Sequence, residues 1–528
     1  MSARDTLPTW EVKACSSHFR LSLFFTCTVR FLGIMRGRLK AVYSLQKEGS
    51  TLAVAKLPQV QYRKGATTKV DQHEIIDHWF EVPLTHGLIF SRGKDAALSS
   101  RFADQSIKIF AREVINTSDT LTLPVEKRPY IVYLQGGPGF GSPKTGSIGG
   151  WIAELAKTHR VILLDQRGTG MSSPLSARNI TAVGDAQLQA EYVELFRADS
   201  IIADAEAVRE VLLADRTDKR WSTVGQSFGG FLTLSYLSFA PQSLRDSRIT
   251  AGLAPIRTTV DNVYEHTFDR MAERNKEYYS WFPEDAALAT RIAEHLRTHE
   301  EFLPTGERLT DHRFQMAGHY LGGRWRERGL HYFLETAFAE GDDHLSDQFL
   351  SSMSGEVSFL ANPLYALMHE TIYADGPADG NLPGIPGFAV SPSPAPTNWA
   401  AARVAAKRPE FAPDAETLFF TGEHIFPWYY EEDPALRPLA EVAQLLAEKK
   451  DWRRLYDHEQ LHRNEVPVVA AAYTPDIYVD YENSMETARW VGNTHVWTSK
   501  THHHDGFGSD PLTILGHLKN MLAEVHNQ

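Results

Sequence analysis

The feature that most restricts the fold of this 528-residue chain is one junction, where an apolar run passes through Gly225-Gln226-Ser227-Phe228-Gly229-Gly230 into a second apolar run. The stretch WSTVGQSFGGFLTLSYLSFA (221–240) reads as a strand that breaks at once into a helix. So sharp a reversal forces its central residue into a strained backbone conformation. Side chains two positions to either side would collide there, so glycines flank the turn. A serine at the apex projects beyond the strand end, with a helix N-terminus beneath it that favours negative charge. Ser227 is therefore the candidate nucleophile, because the pattern has both the strand and the helix that a nucleophile elbow requires.

The neighbouring segments fit a parallel sheet around that junction. YIVYLQGGPG is an apolar strand ending in a glycine-rich turn, and HRVILLDQRGTG is a second ending in a polar turn. Short continuous apolar runs alternating with helices indicate strands buried on both faces. IIADAEAVREVLLA (201–214) has helical apolar spacing and crosses between two of them. Upstream, HEIIDHWFEVPLTH and SIKIFAREVI read as two further strands. Past Pro255 the pattern changes to helix formers and aromatics, with a Pro/Gly loop at 376–396. It resumes at VPVVAAAY (466–473) and closes with a helix at PLTILGHLKNMLAEV.

The fold class expected is α/β: an α/β-hydrolase core with a mostly parallel sheet, interrupted by an inserted, mostly helical cap. In residue ranges this gives an extension at 1–50, core at 51–255, cap at 256–465 and core again at 466–528. The cap would sit over the strand ends, where open parallel sheets carry their chemistry.

Composition narrows the function classes. A net charge of −12 argues against a nucleic-acid partner, which would call for a basic face. The two cysteines, Cys15 and Cys27, leave the body of the chain without a disulfide, thiolate metal site or cysteine nucleophile, and fit a reducing, cytoplasmic setting. Residues 20–34 are apolar but short for a membrane span and carry Arg30, and Asp5 and Glu11 precede them, unlike a secretory signal. We read residues 1–50 as a poorly ordered extension, and no membrane partner is expected.

A serine hydroxyl needs a neighbouring base, and the base an orienting acid. In this fold the chain order is Ser, acid, His. The strand VPVVAAAY is followed by Asp476 and Asp480, of which Asp476 lies right at the strand end. HVWTSKTHHHDGFG supplies another strand and then His502, His503 and His504, among which spacing does not choose. Neighbouring side chains on an extended segment diverge, and no Glu/His partner at helical spacing accompanies the run, so it does not read as a metal site. The oxyanion formed on attack needs backbone donors. The N–H of Phe228 and the turn at Gly136 and Gly137 are the candidates.

Taken together, LQGGPGFGSP, ILLDQRGTGMSSP, GQSFGG, NPLYALMHETIYADG, FTGEHIFPW, PDIYVD and the final HHDG resemble the prolyl aminopeptidases (proline iminopeptidases), over roughly residues 73–515. The resemblance implies a serine peptidase that removes N-terminal proline from peptides without metal or cofactor. It assigns Ser227, Asp476 and His504 to the triad, and Gly136 and Gly137 to the oxyanion turn. Family members often have His before the paired glycines, where this chain has Gln135. The resemblance also implies cap glutamates that hold the substrate's imino cation; Glu370 and Glu423 are the best matches. Phe140, Trp428 and Tyr429 are candidates for the wall of a proline pocket, and Arg167 for tying loops together. Two other readings stand beside this one: an esterase or amidase on the same scaffold, and a non-catalytic binding protein.

Overall fold

Strand pairing organises the chain from its first described strands onward. The computed structural model describes residues 60–86, 96–118, 121, 123–144, 146–339, 343–376 and 396–527. The expected extension at 1–50 and the Pro/Gly loop, apart from its two ends, lie outside them. The strands of the main sheet are β1 (Gln61–Val70), β2 (His73–Pro83), β3 (Ser106–Asn116), β4 (Tyr130–Leu134), β5 (Arg160–Asp165), β6 (Trp221–Gln226) and β7 (Leu244–Thr250). After the short β8 (Glu301–Phe302) and β9 (Arg308–Leu309), which pair only with each other, come β10 (Val468–Tyr473) and β11 (Thr494–Ser499). Among the described residues nine strands make one sheet in the order β1-β2-β3-β5-β4-β6-β7-β10-β11. β1, β2 and β3 pair antiparallel, and β3 meets β5 antiparallel. From β5 to β11 every pairing is parallel.

The central strands are apolar throughout because both faces are covered. Ile131 and Tyr133 of β4, with Val161 and Leu163 of β5, pack on one face. That face is closed by a helix α1 at Gly150–Ala156 and by the last helix of the chain. Val132 and Leu134, with Ile162 and Leu164, face the other way into the larger core. There they meet α2 (Ala198–Leu212) and α3 (Phe228–Phe239). A period of two on strands thus yields two separate cores.

β1 is a strand that the sequence pattern did not signal. QYRKGATTKV is exposed along nearly its whole length, and as an edge strand it has no buried face to impose alternation.

Among the described residues the chain leaves the sheet after Thr250 and next joins it at Val468. The excursion includes α4 (Val260–Trp281), α5 (Pro283–Thr298), α6 (Pro363–Met368) and α7 (Ala400–Ala405). The chain ends with α8 (Tyr481–Trp490) and α9 (Pro511–His526). A buried ionic latch ties the excursion to the sheet's helices: Arg453 bonds Asp199 at 2.8 Å and Glu194 at 3.1 Å. Arg197, also buried, donates to the carbonyls of Thr371 (2.9 Å) and Ala374. Among the described residues no helix is long and apolar enough to cross a membrane.

Candidate active site

Ser227 sits between β6 and α3 with φ 55° and ψ −126°, a conformation costly for any residue with a β-carbon. It is the N-cap of α3, a position where serine normally folds its hydroxyl back onto the helix. Here it makes no such bond, so the hydroxyl is not consumed by the helix it precedes. The strain is held by close packing. A β-carbon at Gly229 would lie 1.9 Å from the carbonyl oxygen of Leu134, and one at Gly136 would lie 3.0 Å from the Ser227 β-carbon. The Gly136 turn is therefore pressed directly against the elbow. Gly229→Ala is expected to destabilise the fold at or above the top of the ~1–3 kcal/mol range for overpacking; chemical denaturation checks this.

Polar side chains from the end of β5 and the residue after it hold the glycine turn. The Asp165 carboxylate accepts the N–H groups of Ser142 at 2.7 Å and Met171 at 2.8 Å, and Gln166 donates to the Gln135 carbonyl at 2.8 Å. Arg167 is buried and pairs with Asp204 at 2.7 Å while donating to the carbonyls of Leu84 and Leu195.

At the far end of the chain, His504 Nδ1 donates to the Asp476 carboxylate at 2.9 Å, both residues being buried. The same carboxylate accepts the N–H groups of Tyr478 and Val479 at 2.9 and 3.0 Å, so it is locked against its own turn. Burial by itself would lower the His504 pKa. The charge and hydrogen bond of Asp476 outweigh it, with help from Glu423 and Asp505, and the net shift is upward. Of the neighbouring histidines, His502 is engaged elsewhere, bonding Ser499 at 2.7 Å and Asp510 at 3.3 Å. His503 is pulled down to about 4 by burial and by nearby arginines. Asp480 caps α8 through the Asn483 N–H and pairs with His266 and Arg270. Gln226, next to Ser227 in the chain, donates to the His504 carbonyl at 3.4 Å and so brings elbow and histidine turn together. Among the described residues no hydrogen bond joins the Ser227 hydroxyl to the His504 ring. Such contacts often tighten only when substrate arrives.

The two glutamates differ in setting. Glu423 is held down to about 2: burial would raise it, but His369, His504 and His319 outweigh that. His369 Nε2 lies 3.7 Å from its carboxylate. The turn that presents Glu423 is tied down by hydrogen bonds on both sides. Asn275 exchanges two hydrogen bonds with the Phe420 backbone, at 2.8 and 3.0 Å. His424, stacked on Phe268 at 3.8 Å, is pushed by burial down to about 3 and so stays neutral. Its Nδ1 accepts the Gly422 N–H at 3.1 Å. Glu370 instead gives one oxygen to the Ala401 N–H at the start of α7, at 3.0 Å, and its other oxygen is buried without a hydrogen-bond partner. Burial raises its pKa against the Ala401 and Ala400 N–H groups and the Thr397 hydroxyl.

The aromatic candidates form one row of rings. Phe140 meets Tyr365 edge-on at 5.5 Å; Phe359 follows at 5.9 Å, Tyr429 at 5.3 Å and Trp428 at 4.2 Å. Phe140 lies at the turn, while Trp428 lies at the far end, packed on Phe426 and His312. Sequence reasoning missed Gln226, Tyr365, His369 and Tyr478. Tyr365 is buried with its hydroxyl toward Glu423, and burial together with the Glu423 charge pushes its pKa well up. The Tyr478 ring stands edge-on to His504 at 4.9 Å, and its hydroxyl donates to the His319 carbonyl at 3.3 Å. Only Tyr478 had a usable signal, two residues after Asp476.

Comparison with known proteins gives a consistent picture. Residues 129–300 match the family model described as the alpha/beta hydrolase fold. A proline iminopeptidase of Aeromonas sobria is 40% identical over 442 residues, spanning 84% of this chain and 95% of the relative. The proline iminopeptidase aneH of Aspergillus aculeatus is 34% identical over 435 residues, 81% of this chain and 88% of that one.

Proposed function

Since the chain belongs to the proline iminopeptidase family of α/β-hydrolases, we propose that it is a serine aminopeptidase that releases N-terminal proline from peptides through Ser227, His504 and Asp476. The observation that carries the assignment is the buried 2.9 Å contact between His504 Nδ1 and Asp476, on the turn that Gln226 ties to the elbow.

Ser227 Oγ attacks the carbonyl carbon of the terminal proline while His504 Nε2 takes its proton. The N–H of Phe228 and the Gly136-Gly137 turn hold the oxyanion, which is stronger in the transition state than in the substrate. His504 then returns the proton to the departing amine, the C–N bond breaks, and a prolyl ester remains on Ser227. Water, deprotonated by the same imidazole, attacks that ester and frees proline. No step calls on a cofactor.

The excursion between β7 and β10 acts as the cap, with Glu423 as the main partner of the imino cation. Glu423 is held well below the usual carboxylate range and its charge acts on the same imidazole, whereas Glu370 already spends one oxygen on α7. Glu370, whose pKa burial raises, anchors the start of α7 behind it. Phe140 and Tyr365 wall the pyrrolidine ring, and Trp428 supports the row of rings from its far end. The setting is cytoplasmic, in keeping with cysteines confined to positions 15 and 27.

Proline-nitroanilide with a free imino group is expected to be cut, and the N-blocked compound is not. Glu423→Gln should lower kcat/KM on the free substrate about 100-fold, near the lower end of the cost of stripping a buried charge of its partner. Equal cleavage of free and blocked substrates would instead favour the esterase or amidase reading.

A further inference from the structure

Away from the elbow, two histidines and a carboxylate from three separate segments meet at one point. His295 lies in the last turn of α5, Glu301 begins β8, and His344 precedes the Leu345 partner of the Phe338–Leu345 bridge. His295 Nε2 is 2.6 Å from Glu301 Oε1, and His344 Nδ1 is 3.3 Å from the same oxygen. One ligand atom from each residue lies within 4.8 Å of the other two. The Leu345 N–H also donates to that oxygen at 3.1 Å, fixing the carboxylate in place.

We propose that His295, Glu301 and His344 form a Zn²⁺ site that staples α5, β8 and the segment around His344 together. Two imidazole nitrogens and one carboxylate make a donor set suited to zinc. With metal–ligand bonds of about 2.0–2.1 Å, the ligand atoms of a tetrahedral site stand about 3.3 Å apart. The His344–Glu301 spacing already has that value, at 3.3 Å. The 2.6 Å His295–Glu301 contact is a hydrogen bond that must open slightly as the ion replaces the shared proton. The His295 ring is held for this: it stacks on His299 at 4.3 Å and meets Phe338 edge-on at 5.5 Å. A surface cavity lined by His295, His299, Arg297 and Asp343 reaches the His295 ring. Arg291 lines the same cavity, with its guanidinium 4.0 Å over the Phe338 ring.

Two other clusters of histidine and carboxylate differ in a decisive way. At His266, Asp480 and Glu482 the Arg270 guanidinium already takes the cation's place. At Glu284, Asp285 and His331 the Tyr278 hydroxyl occupies Asp285. Among the described residues the side chains that pair with Glu301 are those of His295 and His344, beside the Leu345 N–H, and no arginine or lysine does.

The test uses the full chain, stripped by chelator and titrated with ZnCl₂ in equilibrium dialysis while thermal unfolding is followed. With 22 histidines in the chain, weak adventitious binding must be separated by variants. The expected result is one tight equivalent of zinc and a thermal midpoint raised by several degrees, because the ion binds the folded state alone. His344→Ala should weaken that equivalent at least about tenfold, the least expected when a metal ligand rather than its supporting partner is lost. It should also abolish the midpoint rise while leaving hydrolysis of proline-nitroanilide unchanged; His266→Ala should leave zinc binding intact. Absence of a tight equivalent would overturn the proposal, as would binding equally tight in the wild type, His344→Ala and Glu301→Gln.

Discussion

Ser227→Ala is expected to lower kcat on proline-nitroanilide by a factor on the order of 10⁴ or more, the scale set by nucleophile removal in other serine hydrolases. The fold should be untouched. Ser227 sits at φ 55°, a strain that alanine shares, and its hydroxyl makes no capping bond to α3 that the variant would lose. The thermal midpoint should therefore stay within about a degree of the wild type, while KM changes little because binding and chemistry use different groups. The Ser227→Ala, His504→Ala double variant should be no slower than Ser227→Ala by itself, since the two side chains act as a unit. Additive losses would mean that they work separately.

Asp476→Asn should cost about 10⁴-fold in kcat, the loss seen when a triad acid becomes an amide. The remaining side-chain oxygen of this variant can still accept the N–H groups of Tyr478 and Val479, so the turn survives. What changes is the atom facing His504 Nδ1: an amide presented there as a donor favours the wrong tautomer. The pH profile supplies a second readout. His504 must be neutral to take the Ser227 proton, and its pKa is raised above the ordinary 6.5 chiefly because Asp476 and Glu423 overcome burial. Activity therefore falls as pH drops through that raised value. Asp476→Asn removes the larger raising contribution, so the acid limb of kcat/KM should move to lower pH; Glu423→Gln should move it the same way by less. Asp480→Asn is the control. Asp480 caps α8 and pairs with His266 and Arg270. Its variant should lose about 0.5–2 kcal/mol of stability at most and leave the acid limb in place.

The sheet and the elbow were readable because buried parallel strands and a strand-to-helix reversal leave few residue choices. β1 was not, because a polar edge strand has no buried face and therefore no alternation. At the site, legibility stopped where chemistry depends on direction. His502, His503 and His504 are consecutive, and spacing left them equal; only the resemblance singled out His504. What separates them physically is the turn after β11, which sends His502 to Ser499 and Asp510 and His504 to Asp476. The glutamates repeat the lesson. Glu370 and Glu423 look alike in sequence, yet one caps α7 and the other is ringed by histidines. Contacts made by one side chain across a long loop, such as Gln226 to His504 or Arg197 to the Glu370 turn, leave no period for a sequence reader to find.

The most direct test of the account is to react the enzyme to completion with a fluorophosphonate and locate the adduct by tandem mass spectrometry, while residual hydrolysis of proline-nitroanilide is followed. A single adduct on Ser227 is expected, with loss of activity in step with its formation. Full labelling of Ser227 with activity retained, or inactivation with the adduct on another residue, would contradict it.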